Sequence, residues 1–83
     1  MYKIKLTAKA KKELGKIKKL HQSAIGLALE EIKENPLVGK SLSRELTNRY
    51  SYRIGIYRII YKVNKEDKII HILAAGHRAN IYN

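Results

Sequence analysis

The feature of this sequence that most restricts its fold is a change in hydrophobic period near Tyr50. From Ala10 to Ile32 apolar residues recur at helical spacing, whereas from Tyr50 to Ala75 they recur at alternate positions, as in β-strands. Because one short chain contains both periods in succession, we expect an α+β domain with helices packed on one face of an antiparallel sheet. The 83 residues suffice for a single domain, 1–83, with a small core.

The first half predicts one strand and two helices. Residues 2–6 alternate polar and apolar side chains, which predicts a strand, and Thr7 is a typical N-cap for the helix that follows. A polar stretch at 21–23 is expected to separate the two helices. Their apolar stripes are Ala10, Leu14, Ile17 and Leu20 in the first, and Ala24, Ile25, Ala28, Leu29 and Ile32 in the second. The second helix is expected to stop at Asn35-Pro36, since a residue before proline disfavours helical geometry.

The second half predicts antiparallel strands joined by short turns. Side chains alternate over 50–54, Gly55 permits a tight turn, and alternation resumes over 57–63. After a polar turn at 64–67, residues 68–75 predict the last strand. With the N-terminal strand, this makes an antiparallel sheet of about four strands, and a two-helix hairpin packs on one of its faces. The other face is left to meet solvent or a ligand.

Charge restricts the class of partner. The chain has 18 Lys and Arg residues against 7 Asp and Glu, a formal net charge of +11, which favours a polyanion or an acidic protein. It has no cysteine, which excludes disulfides and thiolate metal sites and fits the cytoplasm. No apolar run approaches the roughly 18 residues of a membrane span. The three histidines are too scattered for a zinc site. We therefore expect no metal, no cofactor and no membrane.

Arginines and tyrosines are concentrated in the second half. Arg53 and Arg58 flank the predicted turn and point away from the face of Tyr57 and Ile59, so we expect two guanidinium groups on one patch. A guanidinium is always charged and binds phosphate through two hydrogen bonds. Five of the six tyrosines lie in this half, and aromatic rings stack on unpaired bases. Tyr57 and Tyr61 share the Ile59 face, which predicts core positions for both.

Three motifs are more specific together than any of them is alone. They are Asn35-Pro36 followed by Gly39-Lys40, Leu42 and Leu46; the run Tyr50-Ser51-Tyr52-Arg53-Ile54-Gly55-Ile56-Tyr57-Arg58-Ile59-Ile60-Tyr61; and the closing run Ile72-Leu73-Ala74-Ala75-Gly76-His77-Arg78-Ala79-Asn80-Ile81-Tyr82. With these motifs, nearly the whole chain resembles the RelE/StbE branch of the RelE/ParE toxin superfamily. The resemblance implies a metal-independent endoribonuclease that cleaves mRNA on the ribosome, stops translation and is silenced by a cognate antitoxin.

The resemblance also implies roles for individual residues. Arg53 and Arg58 match two strand arginines that bind or neutralise the scissile phosphate, and Arg78 matches a basic residue near the end of the last strand with a similar role. Tyr82 matches a C-terminal tyrosine that stacks on a base or assists proton transfer, and His77 lies where relatives often carry a basic residue. Lys40, Lys62 and Tyr52 are predicted as further RNA contacts.

The mechanism that this implies is attack of a 2′-hydroxyl on the adjacent phosphate, which needs a proton acceptor, cations and a proton donor. Relatives carry Lys or Arg two residues before the Arg53 position, but this chain has Ser51, so the general base stays open. Candidates are His77 and Tyr82 first, then Lys40 and Lys62. Two other functions also stay open: a ParE-like toxin that poisons DNA gyrase, and a non-catalytic RNA- or ribosome-binding module.

Overall fold

Two helices and a five-stranded sheet make up the fold of the described residues. The computed structural model describes residues 2–41 and 48–77. In chain order the elements are β1 (Lys3–Leu6), α1 (Ala8–Lys16), α2 (Lys19–Glu34), β2 (Lys40–Ser41), β3 (Arg49–Ile54), β4 (Tyr57–Asn64) and β5 (Ile69–His77). This order confirms the α+β class, with an N-terminal strand and two consecutive helices. None of the helices in these ranges is long and apolar enough to cross a membrane.

The sheet has five strands instead of about four, and it is mixed. Its strands lie in the order β1-β5-β4-β3-β2. The direction of the chain reverses at each step from β2 to β5, and these strands pair antiparallel. The final reversal brings β5 alongside β1 in the same direction, so this one pair is parallel. A parallel pair needs a long crossover connection, and the helices together with the intervening strands supply it.

Helix α1 begins as predicted but ends early. Thr7 Oγ1 accepts a hydrogen bond from the Ala10 N–H at 3.1 Å, which confirms the N-cap. At Ile17 the backbone is extended (ψ 134°), which ends the helix. This break directs the Ile17 side chain, which is only 6% exposed, into the core. The Gln22 side-chain amide donates to the Ile17 carbonyl at 3.0 Å. Helix α2 therefore starts earlier than predicted, and Leu20, predicted for the first apolar stripe, is 82% exposed.

The core lies between the helices and one face of the sheet. It is formed by Ala10, Ile17, Ile25, Ala28, Ile32, Ile59, Tyr61, Val63, Ile70, Ile72 and Ala75. The prediction that Tyr61 is a core residue is confirmed, while Tyr57 is half-buried and packs against the edge of the core. The stop of α2 before Pro36 is also confirmed, since the helix ends at Glu34.

A bulge in β5 changes which of its side chains face the core. The register pairs Tyr61 with Ile72 but Ile60 with Ala74, so Leu73 is the extra residue. An extra residue moves every later side chain of the strand to the opposite face. Ala75 therefore faces the core opposite Ile59, and Ala74 lies on the other face.

The sheet face turned away from the helices carries most of the charged side chains of β3 and β4. We call this face, which bears Arg49, Ser51, Arg53, Arg58 and Lys62, the open face. Its cross-strand pairs are Arg49 with Lys62, Ser51 with Ile60 and Arg53 with Arg58.

Candidate functional site

A cleft of about 390 Å³ lies on the open face beside the β3–β4 hairpin. Its lining residues are Val38, Gly39, Lys40, Ser51, Tyr52, Arg53 and Arg58. Three of these seven carry a positive charge and none is acidic. Over residues 2–41 and 48–77, no group of three or more His, Cys, Asp or Glu side chains is placed to hold a metal ion. The cleft is therefore suited to an anion, with phosphate as the form that paired guanidinium groups bind well.

The two arginines of the cleft are held opposite each other by a two-residue turn. Ile54 pairs with Tyr57 across this turn, and Arg53 pairs with Arg58. Gly55 has φ 57°, a left-handed conformation that glycine adopts without steric cost. Directly opposed like charges destabilise a sheet, and a bound anion would relieve that repulsion. This register confirms the prediction that Arg53 and Arg58 lie on one face of the sheet.

The two arginines differ in how exposed their side chains are to solvent. Arg53 is exposed, whereas Arg58 is half-buried and its Nε is fully buried. A charge next to low-dielectric protein interacts more strongly with a ligand than a fully hydrated charge does. Arg58 is thus the more fixed of the two cations, and Arg53 is free to adjust to a bound group.

Tyr61 positions the third cation of the cleft, Lys40. The Tyr61 hydroxyl donates to the Pro36 carbonyl at 2.7 Å and accepts from the Gly39 N–H at 3.0 Å. A Cβ at Gly39 would lie 2.7 Å from that hydroxyl oxygen and 3.0 Å from the Ser51 carbonyl oxygen, so only glycine fits this close approach. Lys40 follows directly and pairs with Ser51. Sequence reasoning missed Gly39 and Val38 as lining residues; a glycine soon after the helix-ending proline was the available signal.

Ser51 lies on the floor of the cleft. It is 7% exposed and occupies the open face between Lys40 of β2 and Ile60 of β4. A serine hydroxyl can donate a hydrogen bond to a phosphate oxygen, but its own basicity is too low to accept a proton near neutral pH. Ser51 therefore suits binding, and proton transfer must fall to another group.

Tyr52 borders the cleft, but its hydroxyl is used elsewhere. It donates to Glu31 Oε2 of α2 at 2.6 Å, and Tyr52 pairs with the core residue Ile59. The hydrogen bond to the Glu31 carboxylate, followed by burial, raises the pKa of Tyr52 above 10.0. The side chain is thus directed to the helix side of the sheet, and the geometry does not favour the predicted RNA contact.

His77 lies on the opposite face from Arg58. The β5 register pairs His77 with Tyr57 and Gly76 with Arg58, and the His77 and Tyr57 rings meet edge to face at 6.4 Å. Strict alternation from His71 would have put His77 on the open face, but the bulge at Leu73 reverses it. The structure therefore separates His77 from the arginines with which it was predicted to act.

Lys62 shares the open face but not the cleft. It lies four residues beyond Arg58 in β4, which is about 13 Å at 3.3 Å per residue. It borders a separate hollow of about 340 Å³. Arg78 and Tyr82 lie outside the described residues, and their roles stay predictions.

The chain is similar to known toxins of type II toxin–antitoxin systems. The family model for the ParE toxin of the type II toxin–antitoxin system parDE matches residues 4–82. Toxin RelG of Mycobacterium tuberculosis is 35% identical over 83 residues, covering 98% of this chain and 95% of that protein. A chain of the M. tuberculosis toxin–antitoxin complex RelBE2 superposes with a TM-score of 0.83 at 34% identity, covering 93% of this chain and 98% of that one.

The fold also recurs at lower identity. The isolated E. coli RelE toxin superposes with a TM-score of 0.83 at 22% identity, covering 99% of this chain and 92% of that one. This likeness establishes the common fold, so the roles of residues must come from the geometry of this chain.

Proposed function

The chain belongs to the RelE/ParE superfamily of toxins from type II toxin–antitoxin systems, and from this premise we propose that it is a ribosome-dependent endoribonuclease that cleaves mRNA. The observation that carries the proposal is the cleft in which Arg53 and Arg58 oppose each other beside Lys40. A protein that only binds RNA can also hold a phosphate with paired cations. A reaction at phosphorus does need them, because negative charge grows there.

In the proposed reaction, the 2′-oxygen of a nucleotide forms a bond to its own 3′-phosphorus. The bond from that phosphorus to the 5′-oxygen of the next nucleotide breaks, leaving a 2′,3′-cyclic phosphate and a 5′-hydroxyl. A base removes the 2′ proton, and an acid protonates the departing oxygen. Arg53 and Arg58 stabilise the phosphorane through charge and hydrogen bonds, since a guanidinium does not release its proton.

Lys40 and Tyr82 are the proposed proton-transfer groups. Of the four candidates, Lys40 lines the cleft with the arginines, and Tyr82 is assigned by its match to the family motif. His77 faces the other side of the sheet, and Lys62 is about 13 Å along β4 from Arg58. Ser51 holds the substrate phosphate by a hydrogen bond.

The partner that restrains the toxin is proposed to be a cognate antitoxin of opposite charge. The relatives solved as RelBE2 and as the E. coli RelBE toxin–antitoxin complex are toxin–antitoxin pairs. A net charge of +11 attracts an acidic protein over a long range and speeds its association. Cleavage of mRNA on ribosomes places the proposed activity in the cytoplasm.

The variant Arg58→Ala tests the proposed function. We expect cleavage to fall by about 10² to 10³, the loss that follows removal of one preorganised donor to a charged transition state. Primer extension on mRNA translated with purified ribosomes measures this. Lys12→Ala, which removes one exposed charge from α1 on the opposite side, is the matched control and should cleave normally. Undiminished cleavage by Arg58→Ala would show that the cleft is not the catalytic site.

The match to a ParE toxin model favours a second candidate, inhibition of DNA gyrase. A supercoiling assay with purified gyrase, run beside the primer extension, separates the two. Inhibited supercoiling without new RNA ends would favour the gyrase function. Stalled ribosomes without new RNA ends would favour a binding module that does not cleave.

A further inference from the structure

Four basic side chains form a line across the open face, away from the cleft. The register pairs Arg49 with Lys62, Lys62 with His71, and His71 with Lys5. We call these four residues the basic row. Directly paired residues point to the same face, and neighbouring strands are about 4.8 Å apart, so the row spans roughly 14 Å across β3, β4, β5 and β1.

The side chains of the basic row are accessible, and a single carboxylate borders the hollow beside two of them. Lys5 and Lys62 are exposed, and Arg49 and His71 are half-buried. Lys62 and His71 border a hollow of about 340 Å³ whose other lining residues are Asn48, Val63, Asn64, Lys65 and Glu66. Glu66, in the turn after β4, is the single carboxylate among these seven lining residues.

Strand β4 joins the basic row to the cleft along a straight line. Arg58 in the cleft and Lys62 in the row are four residues apart in β4, a distance of about 13 Å. Between them the open face carries Ser51, Ile60 and Ala74, which are uncharged. At the roughly 3.4 Å rise per nucleotide of a stacked strand, the gap corresponds to about four nucleotides.

We infer that the basic row binds the phosphate backbone of the RNA strand whose scissile phosphate occupies the cleft, about four nucleotides from the cleavage point. This inference rests on the proposed function. The chemistry of the row favours RNA over an acidic protein: protein interfaces have an apolar centre, whereas the members of the row are all basic. Cationic and hydrogen-bonding side chains at regular intervals match a chain of phosphates.

The first test measures binding of a short fluorescein-labelled single-stranded RNA by anisotropy over a range of salt concentrations. The wild-type protein serves as the background, because the proposed cleavage requires the ribosome and the cleft must stay able to hold a phosphate. Adding Lys62→Ala should weaken binding severalfold and reduce the slope of log K against log salt by about 0.7, the value for one lost phosphate contact on a single strand. Lys62→Arg should restore both. Lys12→Ala on α1 removes the same charge and should leave the slope nearly unchanged.

The second test varies RNA length in the same background. Lys62→Ala should weaken binding of an oligonucleotide of about ten residues but not of a dinucleotide, which is too short to reach from the cleft to the row. Equal effects of Lys62→Ala and Lys12→Ala, or equal effects on both RNA lengths, would overturn the inference. A competition experiment could also overturn it. If poly-glutamate displaced the labelled RNA at a lower concentration than unlabelled RNA does, and only when Lys62 is intact, the row would be a site for an acidic protein.

These measurements are independent of cleavage on the ribosome. If Arg58→Ala proves fully active in primer extension, the proposed function fails while the binding results still report on the basic row. If Lys62→Ala binds RNA normally, the row is wrong and the assignment of the cleft is unaffected.

Discussion

At the scale of single residues, Tyr61 connects the hydrophobic core to the cleft. Its ring is fully buried and stacks on Tyr50 at 5.4 Å. Its hydroxyl bonds both Pro36 and Gly39, which fixes the segment that delivers Lys40 to the cleft. A residue that sequence reasoning assigned only to packing therefore also has a positioning role.

The variant Tyr61→Phe should lower the free energy of unfolding by about 1–2 kcal/mol near neutral pH, because two partly buried hydrogen-bonding groups lose their partner. Burial raises the pKa of Tyr61 above 10.0. A raised pKa means that the folded state holds the Tyr61 proton more tightly than the unfolded chain does, so the contribution of this group to stability is full below pH 10 and is lost as pH rises above it. Tyr61→Phe should flatten this alkaline decline in urea-unfolding experiments.

Tyr50→Phe is the matched control, since it removes a hydroxyl from the stacked partner ring without touching Pro36 or Gly39. Its free energy of unfolding should lie within about 0.5 kcal/mol of the wild-type value. Equal losses in the two variants would mean that the Tyr61 hydroxyl does not hold the segment in place.

At the scale of elements, the β3–β4 hairpin organises the cleft. Its two-residue turn fixes a register in which Arg53 meets Arg58 and the core residue Ile59 meets Tyr52. A slip of one residue would exchange the core and open faces along a strand. The turn conformation at Gly55 is therefore as important to the site as the arginines themselves.

Gly55→Ala should lower the free energy of unfolding by about 1–2 kcal/mol, because a side chain strains the left-handed conformation at φ 57°. No atom would clash with the added Cβ, so the effect isolates backbone strain. Gly26→Ala, in the interior of α2 and equally free of contacts, should instead stabilise by about 0.5–1 kcal/mol. Chemical denaturation measures both; a stable Gly55→Ala protein would mean that the turn is not under conformational constraint.

At the scale of the whole molecule, charge favours function at the expense of stability. With a net charge of +11 on 83 residues, the positive side chains repel one another in the compact folded state. The same field attracts polyanions, and the open face concentrates it at the cleft and the basic row. The domain is small, so this repulsion acts against a modest core.

Raising the NaCl concentration should therefore raise the free energy of unfolding, because salt screens repulsion between surface charges. The double variant Lys9→Gln/Lys12→Gln removes two exposed charges from α1, so its free energy of unfolding should depend less on salt concentration. Thermal unfolding across a salt series measures both proteins. If wild-type stability were independent of salt, the positive charges would have to be offset locally by acidic neighbours.

The features predicted from sequence were those that local chemistry determines. The Thr7 cap, the helix stop before Pro36 and the turn at Gly55 depend on residues within a few positions of each other. The alternation over β3 and β4 likewise placed Arg53 and Arg58 on one face, because that stretch of sheet is regular.

The remaining features of the fold depend on contacts between segments that are far apart in the sequence, so only the tertiary structure decided them. Ile17 breaks the helix because the core accepts its side chain, and β1 pairs in parallel with β5, the strand farthest from it in the sequence. The bulge at Leu73 directs His77 away from Arg58. The sequence by itself determined the order of the helices and main strands and the arginine pair. Register and packing, which no local pattern encodes, decided where α1 and α2 meet and which other side chains share the arginine face.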